Sequence, residues 1–132
     1  GTGSGILAIV ANKLGATVDC VEVDALALKQ AEQNFTTNHC NIRECTLGSI
    51  NGITSTYDVV LANITADVII ALSKNISRLL KPSSLLLLSG IVSKYEQKVI
   101  DSFLDFDIIL HQVSDDKEWT TLVLQKITNE RL

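Results

Sequence analysis

Aromatic residues are scarce in this chain: Phe, Trp and Tyr together make up 5% of it. Acidic residues outnumber basic ones, and the net charge of −4 argues against a general nucleic-acid-binding surface, though a local basic patch stays open. No apolar run approaches the roughly 18 residues of a membrane-spanning helix, and no signal-peptide pattern opens the chain. The cysteines, Cys20, Cys40 and Cys45, are odd in number and lack metal-ligand spacing, which predicts buried, reduced thiols and no metal centre. No repeat or low-complexity segment is present. These absences predict a soluble cytoplasmic protein.

What is abundant is aliphatic. Hydrophobic residues make up 46% of 132 residues, with Val, Ile and Leu dominating. That length suits a single domain with one core. The composition suits a layered α/β protein.

The chain is organised around Gly1-Thr2-Gly3-Ser4-Gly5 and the apolar run Ile6-Leu7-Ala8-Ile9-Val10 behind it. Glycines permit a tight turn and let backbone approach a ligand closely. The run predicts a helix from Ser4 to Leu14, stopped by Gly15, with Ile6, Val10 and Leu14 on one face. The glycines then sit at the positive end of a helix dipole, where unpaired N–H groups attract anions and polar ligands. Such loops ordinarily follow a buried strand, and here the chain starts at the first glycine.

Val18 to Val23 reads as a buried strand. Asp24 is placed to cap a helix from Ala25 to about Asn38, with Leu28, Ala31 and Phe35 as its inner stripe. A short strand near Asn41 to Thr46 leads to a Gly48–Gly52 loop. Tyr57 to Asn63 is the next strand, followed by a helix capped by Thr65, with Asp67 in its first turn. Ile69, Leu72, Ile76 and Leu79 mark the core face of that helix, and Pro82 stops it after Leu80. Leu85 to Ile91 reads as a central strand covered on both faces. Ser93 and Glu96 suggest a capping box for a helix ending near Leu104. Strands near Asp107 to Val113 and Trp119 to Lys126 form a hairpin through the polar turn Ser114–Glu118. Strand–helix alternation predicts a mostly parallel sheet with helices on both faces, and the terminal hairpin sets one strand antiparallel to the rest.

Several residues are placed to do chemistry. Glu22 lies at the carboxyl end of its strand about 20 residues past the glycines, where an acid accepts hydrogen bonds from ribose hydroxyls. Its alternative is a solvated strand-end charge. Asn63 ends an apolar strand on the edge where open α/β sheets bind ligands; a helix-capping role is the alternative. Ser49 follows a strand where adenine would lie, or simply forms a turn. Trp119 either lines a substrate pocket or packs in the core. His39 and His111 read as ordinary residues.

In the dinucleotide fingerprint, Ile6 would have to be the third glycine. Gly5 holds that role instead, a spacing closer to loops that bind S-adenosylmethionine. With Ala62-Asn63-Ile64, Leu88-Ser89-Gly90-Ile91 and Glu118-Trp119 in the same order, essentially the whole chain resembles the bacterial PrmA family. These are class I methyltransferases that use S-adenosylmethionine to methylate the large-subunit ribosomal protein L-eleven.

The resemblance implies a Rossmann-like α/β fold with a C-terminal hairpin. It assigns Gly1, Gly3 and Gly5 to the methionine end of the cofactor, Glu22 (where the family usually has Asp) to the ribose, Ser49 to the adenine side, and Asn63 to the sulfonium and the incoming amine. It implies transfer to amino groups, a lysine or an N-terminal amine, of a ribosomal protein. It further implies a catalytic-domain fragment, residues 1–132, lacking an N-terminal recruiting domain and the central first strand, so that Val18–Val23 and Val59–Asn63 would each lose a neighbour and the fragment alone would be a poor enzyme. Rival readings are a methyltransferase of nucleic acid or a small molecule, a nucleotide-binding oxidoreductase, and a non-catalytic nucleotide-binding fragment. Asn63-Ile64-Thr65-Ala66 lacks the Asn-Pro-Pro-aromatic run common in enzymes acting on adenine or glutamine, which lowers the first.

Overall fold

The computed structural model describes residues 1–127, so the last five positions of the expected 1–132 domain lie outside the described residues. Its elements fall in two compact units, Gly1–Gly52 and the remainder from Ile53.

The first unit contains α1 (Ile6–Lys13), β1 (Asp19–Glu22), α2 (Ala25–Thr37) and β2 (Glu44–Leu47). β1 and β2 run parallel, with Cys20 opposite Cys45 and Glu22 opposite Leu47. The Arg43 guanidinium, from the segment entering β2, grips both carboxylate oxygens of Asp19 at 2.8 and 2.5 Å. α2 forms as its sequence predicts: the Asp24 carboxylate accepts from the Leu26 N–H at 2.9 Å, and Leu28, Ala31 and Phe35 are its buried residues. The core of this unit joins Ala8, Cys20, Ala31 and Phe35.

α1 is shorter than the expected Ser4–Leu14, with Gly5 as its N-cap and Leu14 as its C-cap. The stripe Ile6, Val10 and Leu14 is 59%, 49% and 83% exposed, while Ala8 is the buried residue of the helix. Helical spacing shows that apolar residues share a face but does not say which face finds a partner. The only α1 side chain that reaches the Phe35 cluster fully is the one small enough to lie close to it.

The three cysteines are free thiols, with Cys20 buried and Cys40 and Cys45 half-buried. Burial, with Cys20 alongside, pushes the Cys45 thiol up to about 11. Burial likewise raises Cys20. Because the thiolate is the nucleophile, iodoacetamide should label Cys45 slowly at pH 8 and progressively faster toward pH 11, read by peptide mass spectrometry. Rapid labelling of Cys45 in the folded protein at pH 8 would contradict this burial.

The second unit holds β3 (Tyr57–Asn63), α3 (Ala66–Arg78), β4 (Leu80–Val92), α4 (Glu96–Leu104), β5 (Ile108–Asp116) and β6 (Trp119–Lys126). The strand order is β3-β4-β6-β5; β3 and β4 are parallel, while β6 is antiparallel to both of its neighbours. This is the expected α/β sheet ending in an antiparallel hairpin: β6 is the strand that runs against the others of its sheet, which is therefore mixed. Leu86, Leu88 and Ile91 of β4 are wholly buried, as are Ile69 of α3 and Val99 and Phe103 of α4.

Four local expectations need correcting. β4 begins at Leu80, before Pro82, because the Leu80–Ser84 stretch is accommodated by an irregularity against Tyr57–Val59. The hairpin turn is tight: Asp116 pairs with Trp119, and Lys117 takes φ +56°. The Ser93–Glu96 capping box does not form, since residues 93–95 make a 3-10 turn and Tyr95 stands at the N-cap of α4. β2 starts at Glu44 rather than near Asn41. Thr65 does occupy the N-cap of α3, but its hydroxyl bonds the Asp67 carboxylate instead of a backbone amide. No helix among the described residues is long and apolar enough to cross a membrane.

Candidate functional site

In the first unit the glycine loop is held from two sides. Along β1, the Gly1 amine and the Thr2 N–H both donate to the Val21 carbonyl, at 2.8 and 3.0 Å. The Gly3 N–H donates to Glu22 Oε1 at 2.8 Å. From α2, the Asn34 carboxamide donates to the Ser4 carbonyl at 2.8 Å. Gly5 is the N-cap of α1 with φ +85°, and no side chain caps that helix.

Two of the glycines do different work. At Gly3 an added Cβ would meet nothing within 4 Å, so this position is open to an approaching ligand. At Gly5 an added Cβ would lie 2.5 Å from Phe35 Cε1 and 3.3 Å from Ala31 Cβ. Gly5 is therefore turned toward the core, where its missing side chain lets α2 come close. That side of Gly5 packs beneath the loop, while its backbone stays part of the loop as N-cap of α1.

Glu22 is 6% exposed. Its Oε2 accepts from the N–H groups of Val23 and Asp24, at 2.9 and 3.1 Å. Burial by itself pushes this carboxyl up, but the backbone donors, Gly3 foremost, together with the positive charge of the Gly1 amine, outweigh it and hold the acid below the usual carboxylate range. The sign is that of a depressed acid: the brace holds above the ordinary carboxylate range and is lost as pH falls through the lowered value. Sequence placed Glu22 at the strand end. It did not show that the carboxylate braces the loop, nor that Asn34 and Phe35 support it from α2, because contacts 30 residues apart leave no spacing signal.

Ser49 is exposed, and its hydroxyl accepts from the Asn51 N–H at 3.2 Å, so it shapes a turn after β2. His39 and His111 are exposed.

In the second unit Asn63 ends β3 and is exposed, opposite Ser89 of β4. It is not the helix cap, because Thr65 fills that position. Gly90, with φ +77°, comes so close to Asn63 that an added Cβ would lie 2.3 Å from Asn63 Oδ1. Trp119 pairs with Val92 and is 53% exposed, which excludes the core-aromatic reading. Beside it the Ser93 N–H donates to the Glu118 carbonyl at 2.7 Å. The Ser93 hydroxyl is buried without a hydrogen-bond partner among the described residues. The motif residues Asn63, Ser89–Gly90 and Trp119 thus lie on neighbouring strands of one sheet, with Glu118 in the turn before Trp119.

Comparison with solved structures defines the fold as that of class I S-adenosylmethionine-dependent methyltransferases. The chain is similar to an RNA methyltransferase from Salinibacter ruber in complex with S-adenosyl-L-homocysteine, with a TM-score of 0.77 and 18% identity over 100% of this chain and 79% of that one. It is also similar to a ribosomal protein L11 methylase from Lactobacillus delbrueckii subsp. bulgaricus, with a TM-score of 0.92 and 26% identity over 96% and 67% of the two chains. The profile of the family described as ribosomal protein L11 methyltransferase (PrmA) matches residues 1–127. The chain belongs to the PrmA family. A ribosomal protein L11 methyltransferase of Nitratiruptor sp. is 43% identical over 125 residues, 95% of this chain and 44% of that protein. The chain thus spans less than half the length of the curated relatives it matches.

Proposed function

We propose that the protein carrying this chain transfers methyl groups from S-adenosylmethionine to amino groups, lysine side chains or an N-terminal amine, of a large-subunit ribosomal protein. The observation that carries this reading is the family match over residues 1–127, supported by relatives whose names specify ribosomal protein L11. The match runs unbroken through both compact units, which supports reading them as one methyltransferase domain. A ribosomal protein as substrate makes the cytoplasm the expected location.

When bound, the cofactor supplies an electrophilic methyl group, and the protein's contribution is alignment and desolvation. Gly1 and Gly3 offer backbone close to the cofactor, and the open Cβ position of Gly3 fits that use. The uncapped first turn of α1 adds N–H groups and a favourable dipole. An ionised carboxylate has about four acceptor sites. Glu22 spends three on backbone, which leaves capacity for a ribose hydroxyl. Ser49 borders the adenine side. Asn63 orients the incoming amine, which must shed a proton first, because a free lysine with pKa ~10.4 is almost wholly protonated at neutral pH. A partly dry site disfavours the ammonium form, and water takes the proton.

The test is incubation of the full-length protein with S-adenosylmethionine and isolated ribosomal proteins, followed by mass spectrometry. Methylation of the L11 protein is the expected result, and its absence with an active cofactor-binding enzyme would overturn the substrate assignment. Glu22→Ala in the same protein should weaken cofactor binding by roughly 1–3 kcal/mol, the scale for losing a charged hydrogen-bond partner. An unchanged dissociation constant by calorimetry would remove Glu22 from the site.

A further inference from the structure

The pairing of β4 is irregular next to Asn63. Leu88 pairs with Leu122 of β6, and Ile91 pairs with Thr120. Three steps on β4 therefore oppose two on β6, which places one extra residue at Ser89–Gly90. An extra residue with a glycine in the left-handed region is a known form of β-bulge, and bulges re-aim backbone and side chains at sheet edges.

On its other side this bulge faces β3, where Ser89 is the register partner of Asn63. Gly90 has φ +77°, and a Cβ there would stand 2.3 Å from Asn63 Oδ1 and 3.5 Å from both Asn63 Cγ and the Ile64 carbonyl. Real Cβ atoms do not approach oxygen this closely. The Asn63 carboxamide therefore lies in the volume that any other residue at position 90 would fill. Among the described residues no hydrogen bond holds that carboxamide, and the position it takes uses the volume that the missing side chain at Gly90 leaves open.

We propose that Gly90 is a positioning residue for the methyl-transfer reaction: the bulge and the missing side chain leave the seat in which Asn63 presents its carboxamide to the incoming amine. This rests on the reading of Asn63 given above. Gly90 does not itself touch the reacting groups. It acts by leaving open the one position of the Asn63 carboxamide that a side chain at residue 90 would displace, and orientation of that kind is worth large factors, since misplacement by about 1 Å can cost about 10²-fold in rate.

The experiment is a double-mutant cycle in the full-length enzyme with Gly90→Ala, Asn63→Ala and the double variant, measuring kcat, KM for S-adenosylmethionine and thermal unfolding. The strain of a side chain at positive φ is the same with Asn or Ala at position 63, so it cancels in the cycle. If Gly90 acts through Asn63, Gly90→Ala lowers kcat by about 10- to 100-fold with KM for the cofactor within about twofold, and adds no further loss in the Asn63→Ala background. If the Gly90→Ala factor persists undiminished in that background, Gly90 acts elsewhere and the proposal is overturned. Near-normal kcat for Asn63→Ala alone would instead overturn the reading of Asn63, and the Gly90 role with it. Should Gly90→Ala fold too poorly for kinetics, unfolding carries the test. Removing the carboxamide in the double variant should then raise the midpoint, and a double variant no more stable than Gly90→Ala overturns the contact.

Discussion

Replacing Gly5 by Ala in the full-length protein should destabilise it by about 2–5 kcal/mol, a large share of a typical ~5–15 kcal/mol domain stability. Two effects add. A side chain at φ +85° is strained by about 1–2 kcal/mol. The new methyl would also overlap the Phe35 ring edge, 2.5 Å away, and overpacking a closed core costs about 1–3 kcal/mol. Phe35 is 4% exposed and packed with Ala31, Cys20 and Ala8, so the ring has little room to swing aside. Phe35→Leu in the Gly5→Ala background should relieve the overlap and leave the backbone strain. Denaturant unfolding of the four cycle members checks this. A loss below about 1 kcal/mol for Gly5→Ala would show that the loop, rather than the core, sets the requirement for glycine. The same substitution should weaken cofactor binding only as far as it unfolds the loop, because Gly5 faces inward.

Asn63→Ala should act oppositely, hurting turnover and sparing the fold. Asn63 is exposed, sits at a strand end, and does not cap α3, so its removal should change stability by no more than about 0.5 kcal/mol. If Asn63 orients the incoming amine, as we propose, its loss should lower kcat by about 10²-fold. If the contact matters only in the transition state, kcat and kcat/KM fall together. A near-normal rate would show that Asn63 is a bystander at the end of β3. The two variants thus separate a loss of packing, expected of Gly5→Ala, from a loss of turnover, expected of Asn63→Ala.

Periodicity and capping chemistry are local, and where they acted alone the sequence was legible. Asp24 followed by the Leu28, Ala31 and Phe35 stripe predicts α2 to within a residue, because the cap and the apolar spacing lie within one helix. The Tyr57–Asn63 strand and the terminal hairpin were legible for the same reason, alternation and turn residues being short-range signals. The Gly1–Gly5 loop, the strand-end Glu22 and the motifs around Asn63, Gly90 and Trp119 also marked the family by order and spacing. The Ser93–Glu96 box failed because it needed a helix starting at the right residue, and the Ile6, Val10 and Leu14 spacing could not say whether their shared face is covered, which it is not.

What only the tertiary structure decided is how the glycines and the acid divide their work. Sequence made Gly1, Gly3, Gly5 and Glu22 one cofactor motif. The fold separates Gly3, open at its Cβ position, from Gly5, closed by Phe35, and turns Glu22 partly inward to brace the loop through Gly3, Val23 and Asp24. It also sets Gly90 against Asn63 across a bulge, 27 residues apart in the chain. Identity and order of residues follow from local chemistry, which a linear sequence carries. Which side of a glycine is filled, and what a carboxamide rests against, depends on excluded volume between segments distant in the chain, and only their packing supplies it.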